Sequence, residues 1–209
     1  MTSSLLLRAY ASGIFPMAES QDSPTIHWVD PTRRGIFPLD GFHISRSLRK
    51  SILNGRYQIK FDSDFEGVLL ACADRGETWI NSEIHELYMQ LHHAGYAHSQ
   101  EIWDSESLIG GVYGVALGGA FFGESMFSKQ RDGSKIALAW LVDRLRRTGF
   151  SLFDTQFLTP HLESLGAIEI SREDYLKRLK NAVNSKADIL NVKPGISAQE
   201  VIQRSTQTS

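Results

Sequence analysis

The 209-residue chain is short of several things, and each shortage excludes a class of protein. Cys72 is the only cysteine, so there is no disulfide framework, and a single thiol fits a reducing, cytoplasmic setting. With 6 prolines and 17 glycines the chain is neither low-complexity nor collagen-like. No apolar run approaches the ~18 residues a membrane span needs, so no membrane association is expected. The start, Met1-Thr2-Ser3-Ser4-Leu5-Leu6-Leu7-Arg8, lacks the basic region and small-residue cleavage site of a secretory signal. Neither sign of charge dominates: 22 Lys and Arg stand against 24 Asp and Glu, a net −2, which excludes coating nucleic acid through global charge. No internal repeat is visible.

What remains is a globular composition, 42% hydrophobic and 22% charged, at a length that suits one full domain and a small appendage. Periodicity and punctuation predict a short helix over 3–12 and a polar loop over 19–24. Two extended segments follow, at 26–29 and 35–38, then a helix over 45–54 that Gly55 ends. A strand at 57–61 leads to a helix at 64–73, capped by Asp62 or Ser63, and a helix from Asn81 to His93. Three glycine-marked strands follow at 99–103, 107–116 and 119–127. The strongest helix spans 134–148, with Leu138, Leu141, Val142 and Leu145 on one stripe. Strands at 152–154 and 167–170, a short segment at 160–164 and a helix at 172–183 complete the order. Beyond Lys186 the polar composition predicts a flexible tail. Meandering strands followed by crossover units imply an α/β (α+β) chain with a mixed sheet flanked by helices, the layout of the acetyltransferase-like fold.

Several constellations carry possible chemistry. Glu124 is a lone acid in an apolar, small-residue strand, and alternation puts Phe122, Glu124 and Met126 on one face. Such an acid is costly unless paired, and groups of that kind cluster at functional sites; a water-facing edge residue is the plainer alternative. Asp154 and Gln156, two apart, project from one strand face. They read equally as an acid orienting an amide and as a strand end entering a turn. Gly123-Glu124-Ser125-Met126-Phe127 lacks the second glycine of a nucleophile elbow, which rules out a serine hydrolase. His85-Glu86 lacks the second histidine of a zinc helix, so no metal is expected. Gln130-x-x-Gly133-x-Lys135 resembles a pyrophosphate-binding loop but has a long cation where a small residue belongs. Between Arg33 and Lys60 stand seven basic residues and one acid, a local +6 that points to an anionic partner. Trp28, Trp79, Tyr88 and Trp103 offer surfaces on which bases could stack, although any one alone is more often a core residue.

Taken together, these residues resemble the leucyl/phenylalanyl-tRNA–protein transferase family. The resemblance is carried by Ala9-Tyr10 with Gly13-Ile14-Phe15-Pro16, Trp28 with Pro31 and Arg33, and Phe42 through Leu48. It continues through Thr78-Trp79-Ile80, Leu91-His92, Ala97-His98-Ser99 with Glu101 and Trp103, and Gly110 through Gly114. Gly123 through Ser128, Ser134-Lys135, Asp154 with Gln156, and Ser164 through Ala167 complete it. It implies transfer of Leu, Phe or Met from aminoacyl-tRNA to the α-amine of proteins that begin with Arg or Lys, marking them for degradation. No cofactor is implied, because an aminoacyl ester is already activated, and the chain is expected to act as a monomer. The resemblance also implies three regions: a shortened N-terminal subdomain at 1–33, a catalytic domain at 34–185 and the flexible tail at 186–209.

Mapped by motif, the resemblance makes Asp154, Gln156 and Glu124 the catalytic group. Asp154 would orient Gln156, whose oxygen engages the amine, and Glu124 would steady the amine or the acceptor's cationic side chain. Phe121, Met126, Val112 and Leu138 would form the aminoacyl pocket. Trp79 and Tyr88 would lie near the terminal adenosine, and Arg33, Arg46, Arg49 and Lys50 would hold acceptor-stem phosphates. Met17 stands where family members often have a tryptophan, which weakens stacking there.

Overall fold

The structure, a computed structural model, describes residues 2–18, 26–74, 80–192 and 195–206. The N-terminal helix α1 (Ser3–Ala11) leads into a two-stranded antiparallel ribbon, β1 (Phe15–Ala18) with β2 (Ile26–Val29). Strand β3 (Arg33–Phe37) then enters the main sheet. Helix α2 (Arg46–Asn54), strand β4 (Gln58–Phe61) and helices α3 (Phe65–Ala73) and α4 (Ser82–His93) follow. Three long strands come next: β5 (Ala97–Asp104), β6 (Ser107–Leu117) and β7 (Ala120–Ser128). Helix α5 (Gly133–Arg147), β8 (Leu152–Gln156), α6 (Pro160–Glu163), β9 (Ile168–Ser171), α7 (Arg172–Val183) and α8 (Ala198–Thr206) complete the chain.

Local chemistry starts most of these helices. Thr2, Ser45, Asp64, Asn81, Thr159 and Ser171 each accept a hydrogen bond from a first-turn amide that the helix itself cannot satisfy. The cap of α3 is therefore Asp64, neither Asp62 nor Ser63. Helix α5 differs, since Asp132 at its start adopts φ +65° and makes no side-chain cap. Ile136 through Asp143 on α5 are all buried, so this helix is the central element of one layer.

The main sheet has seven strands in the order β4-β5-β6-β7-β8-β3-β9. Every pairing is antiparallel except β7 with β8. One face packs against α1, α3, α4 and α7, where Leu6, Tyr10, Leu69, Leu91, Tyr113, Phe122 and Tyr175 share a core. The other carries α2, α5 and α8, where Phe37, Leu48, Phe121, Leu141, Phe153 and Val201 share a second core. The result is a three-layer mixed sheet flanked by helices. Gly110 of β6 lies against the first turn of α5, where a Cβ would stand 2.6 Å from the Gly133 backbone. Only glycine lets strand and helix approach so closely.

Two expectations need correction. The tail at 186–209 is folded in its described part: Ile189, Val201 and Ile202 are buried, and Arg204 is ion-paired to Asp143. Apolar residues at helical spacing win over the polar average, and Ser197 with Glu200 closes the helix start reciprocally. The second concerns β7. Tyr113 pairs with Ser125 but Gly114 pairs with Gly123, so Glu124 is an extra residue, a β-bulge. Alternation changes phase there. Phe122 faces the first core and Met126 the second, so the two do not share a face.

Candidate active site

Parallel strands β7 and β8 stay paired only from Ala120 with Leu152 to Phe122 with Asp154. Beyond that point they part, and a cavity of about 400 Å³ opens between them. Glu124 sits on the bulge just past the last paired residue of β7, and Gln156 just past that of β8. The parting of the strands brings both side chains into one cavity wall.

Glu124 has three hydrogen-bond partners. Tyr10 Oη lies 2.6 Å from Glu124 Oε1, Tyr88 Oη lies 2.7 Å from Oε2, and Gln156 Nε2 donates to Oε1 at 3.0 Å. Tyr10 comes from α1 and Tyr88 from α4, both fully buried. Burial pushes the Glu124 carboxyl up to about 7 and the charge of Asp154 adds to the rise; hydrogen bonds donated to an ionised Glu124 by Tyr10, Tyr88 and Gln156 would oppose it. The same burial, with Glu124 beside them, raises both phenols well above their ordinary range.

Asp154 is wholly buried beneath this surface and accepts four hydrogen bonds. Arg34 donates through Nε to Oδ1 at 2.9 Å and through Nη2 to Oδ2 at 2.6 Å, a two-pronged grip. Tyr175 donates to Oδ2 at 2.7 Å, and the backbone N–H of Gln156 donates to Oδ1 at 2.8 Å. Gln156 adopts φ +65°, a left-handed conformation that a glutamine holds only when its surroundings impose it. Asp154 therefore orients Gln156 through the main chain. The Gln156 side-chain amide is oriented separately: its NH2 faces Glu124, which leaves its oxygen free of that contact.

The rest of the cavity is largely apolar. Val112, Met126, Leu138, Phe37 and Phe153 line it, with Met17, Phe157 and His161 toward the rim. Burial, with Lys135 nearby, lowers the pKa of His161. Phe121 stands behind Phe153, their ring centroids 5.4 Å apart, and contributes no lining. Tyr88 is the clearer correction. It is buried with its hydroxyl on Glu124 and its ring edge against Tyr113, so no base can stack on it. Trp79 lies outside the described residues. Arg46, Arg49 and Lys50 are exposed on α2, and Lys50 lines a separate polar cleft with Arg56 and Arg131. Arg33 lies apart from them, donating to Glu169 at 3.0 Å on the β3–β9 side.

Sequence reasoning counted Arg34 among the cations of a phosphate-facing basic run, which its burial and its pairing with Asp154 overturn, and gave no role to Tyr175. Arg34 is 1% exposed, sandwiched between the rings of Phe15 and Tyr175, and donates to the carbonyl of Gly13 at 2.9 Å. A signal was available: Arg34 and Ile36 share the core-facing side of β3, and a cation there demands a buried acid. Among the described residues no cluster of three or more His, Cys, Asp or Glu could hold a metal ion, and no helix is long and apolar enough to cross a membrane.

A mixed sheet split between two parallel strands, with polar groups at the split, is an acyltransferase-like fold. The crystal structure of FemX overlaps 80% of this chain and 66% of its own at a TM-score of 0.52, with 12% identity, a likeness of fold. Residues 36–180 match the model of the leucyl/phenylalanyl-tRNA protein transferase family, and residues 1–32 match that family's N-terminal domain. Leucyl/phenylalanyl-tRNA–protein transferases of Ruegeria pomeroyi and Cereibacter sphaeroides are each 62% identical to it. The first aligns over 98% of this chain and 97% of its own, the second over 100% and 98%. The chain belongs to the leucyl/phenylalanyl-tRNA protein transferase family and is a transferase enzyme.

Proposed function

We propose that the chain moves leucine, phenylalanine or methionine from aminoacyl-tRNA to the α-amine of proteins beginning with Arg or Lys. The product would be marked for degradation, in the cytoplasm where charged tRNA is found. The observation that carries this reading is the pairing of Gln156 with Glu124 at the wall of an apolar cavity. The amino-acid side chain enters between Val112, Met126, Leu138 and Phe153, where a side chain branched at Cβ is too wide at its neck.

An aminoacyl ester needs alignment with an amine and removal of a proton, which this site can supply. The α-amine nitrogen attacks the ester carbonyl carbon, a C–N bond forms, and the bond to the ribose 3′ oxygen breaks. The nitrogen gives up one proton and the 3′ oxygen gains one. The Gln156 oxygen accepts from the attacking amine, and Glu124 beside it takes the proton. Asp154 acts from behind, holding Gln156 in its left-handed conformation.

An acyl-CoA donor fits less well, because Asp132 stands at the start of α5, where a pyrophosphate would have to sit. The exposed cations of α2 and the cleft formed by Lys50, Arg56 and Arg131 support contact with acceptor-stem phosphates. The test is incubation with Phe-tRNA labelled in the amino acid and a protein beginning with Arg. Label should pass to the acceptor's N-terminus and be lost when RNase is added first. Absence of transfer overturns the reading.

A further inference from the structure

Three side chains at this site touch one another through four oxygens, so the protons on the three contacts can be counted. Tyr10 Oη is 2.6 Å from Tyr88 Oη and 2.6 Å from Glu124 Oε1; Tyr88 Oη is 2.7 Å from Glu124 Oε2. Oxygens this close are hydrogen-bonded, with one proton on each line of contact. Three contacts need three protons, and two phenols bring one each. An ionised Glu124 brings none. However the phenols turn, one contact then joins two bare oxygens. A neutral Glu124 supplies the missing proton: its Oε2 donates to Tyr88, Tyr88 to Tyr10, and Tyr10 to Oε1, closing a ring in one sense. Gln156 Nε2 still donates to Oε1, which accepts twice.

We propose that the empty site holds Glu124 as a neutral carboxyl in a three-proton ring with Tyr10 and Tyr88, and that the acceptor's cationic α-ammonium displaces that proton to solvent. The second half rests on the aminoacyl-transfer reading above; the first does not. The exchange breaks one carboxyl O–H bond and sends one proton to the buffer. An ammonium N–H becomes the new donor, and its charge compensates the carboxylate.

The surroundings favour the neutral form. The groups facing Glu124 are Tyr10 from α1, Tyr88 from α4, Asp154 and Gln156 from β8, and Tyr113 behind the two phenols on β6. Arg34, which feels the charge of Glu124, has both its carboxylate-facing nitrogens on Asp154, so it makes no direct pair with Glu124. Burial is the largest influence and raises the carboxyl.

The ring and a simpler arrangement predict shifts of opposite sign. Carbon-13 NMR of protein labelled at its glutamate carboxyls follows Glu124, whose signal is the one lost in Glu124→Gln. The wild type should titrate with a midpoint of about 7. Tyr10→Phe and Tyr88→Phe each open the ring and leave contacts that the remaining phenol can fill alone. Either change should lower the midpoint by about one unit or more. If the phenols are plain donors to a carboxylate, each loss raises it instead. An upward shift, or a wild-type midpoint near the ordinary ~4.3, overturns the ring. Should one phenylalanine variant fail to fold, the other and the wild type still decide.

The coupling is read by calorimetry of a peptide beginning with Arg, at about pH 6, in two buffers of different ionisation enthalpy. About one proton released per peptide bound is expected; none released overturns the exchange. A peptide that does not bind, while Glu124 titrates as stated, overturns the acceptor reading and the exchange with it but not the ring.

Discussion

Arg34 and Asp154 form a two-pronged ion pair in which neither side chain sees solvent, at 1% and 0% exposure. The pair joins the N-terminal segment to the seven-stranded sheet. Arg34 reaches back to the Gly13 carbonyl, while Asp154 reaches forward to the Gln156 amide. One carboxylate thereby fixes the loop that leads into β1 and the strained residue of the site. Leu6, Tyr10 and Phe15 pack into the same core as Phe122 and Tyr175, so the two regions share their packing as well.

Breaking that pair should cost more than removing it. Arg34→Met leaves Asp154 charged and buried without its partner, with an expected loss of about 3–5 kcal/mol in chemical denaturation. Arg34→Lys keeps the charge but loses the fork and the ring sandwich, and should stay folded. In that variant the turnover number should fall while the KM for aminoacyl-tRNA stays unchanged, because Gln156 loses its orientation and the tRNA surface does not. A raised KM with unchanged turnover would assign Arg34 to binding instead.

Stability should depend on pH through Glu124. Its carboxyl is raised in the folded chain to about 7, above the unfolded value, so the folded state binds the proton more tightly. The stability this contributes is complete below about pH 4.5 and is lost as pH rises toward 7. The slope from one group is at most about 1.4 kcal/mol per pH unit. Denaturation midpoints taken across that window should decline in the wild type relative to Glu124→Gln, which cannot titrate. Parallel curves for the two proteins would contradict the assignment.

The sheet and its helices were legible because they depend on local patterns, whereas Glu124 and the pair of Asp154 and Gln156 stood out separately and were grouped only by the family resemblance. Helix 134–148 has its stripe, the helix beginning after Asn81 has its cap, and the two polar residues of β8 stand two apart. What was not legible arises over long sequence separations. Arg34 reads as one of seven cations in a basic run, and only the pairing of β3 with β8 brings it to Asp154. Tyr88 reads as part of the apolar face of its helix or as a base-stacking surface, and its contact with Glu124 appears only once α4 packs on the sheet. The bulge at Glu124 exists only in the register with β6, so strict alternation misplaced Met126. The final helix was a different kind of miss, because Ser197 and Glu200 offered a capping signal that the polar composition around them obscured.

The amino-acid side chain should be selected by the apolar wall of the cavity, which Leu138 of α5 and Val112 of β6 both line. Leu138→Phe fills space there without adding a polar atom. Phenylalanine needs more room than leucine, so its transfer should fall by about tenfold more than that of leucine. The measurement is the ratio of kcat/KM for the two aminoacyl-tRNAs. Equal losses would place the side chain elsewhere in the cavity.

Helix α8 gives the last prediction, because its site of attachment is indirect. Val201 and Ile202 enter the core shared by Phe42, Leu48 and Ile52 of the α2 region and by the outer side of α5. Asp143 of α5, nearly buried, accepts from Arg147 at 2.8 Å and from Arg204. The C-terminal segment thus supports α2 and its exposed cations from behind without approaching the cavity. Ile202→Ala should lower stability by about 2–4 kcal/mol through the space it leaves. Asp143→Ala leaves Arg204 and Arg147 without their shared carboxylate and should also destabilise. In folded protein below the new melting point, either change should raise the KM for aminoacyl-tRNA more than it lowers turnover, since α2 is loosened while Glu124 and Gln156 keep their supports. A variant with unchanged KM and a depressed turnover would mean that α8 acts on the cavity through α5.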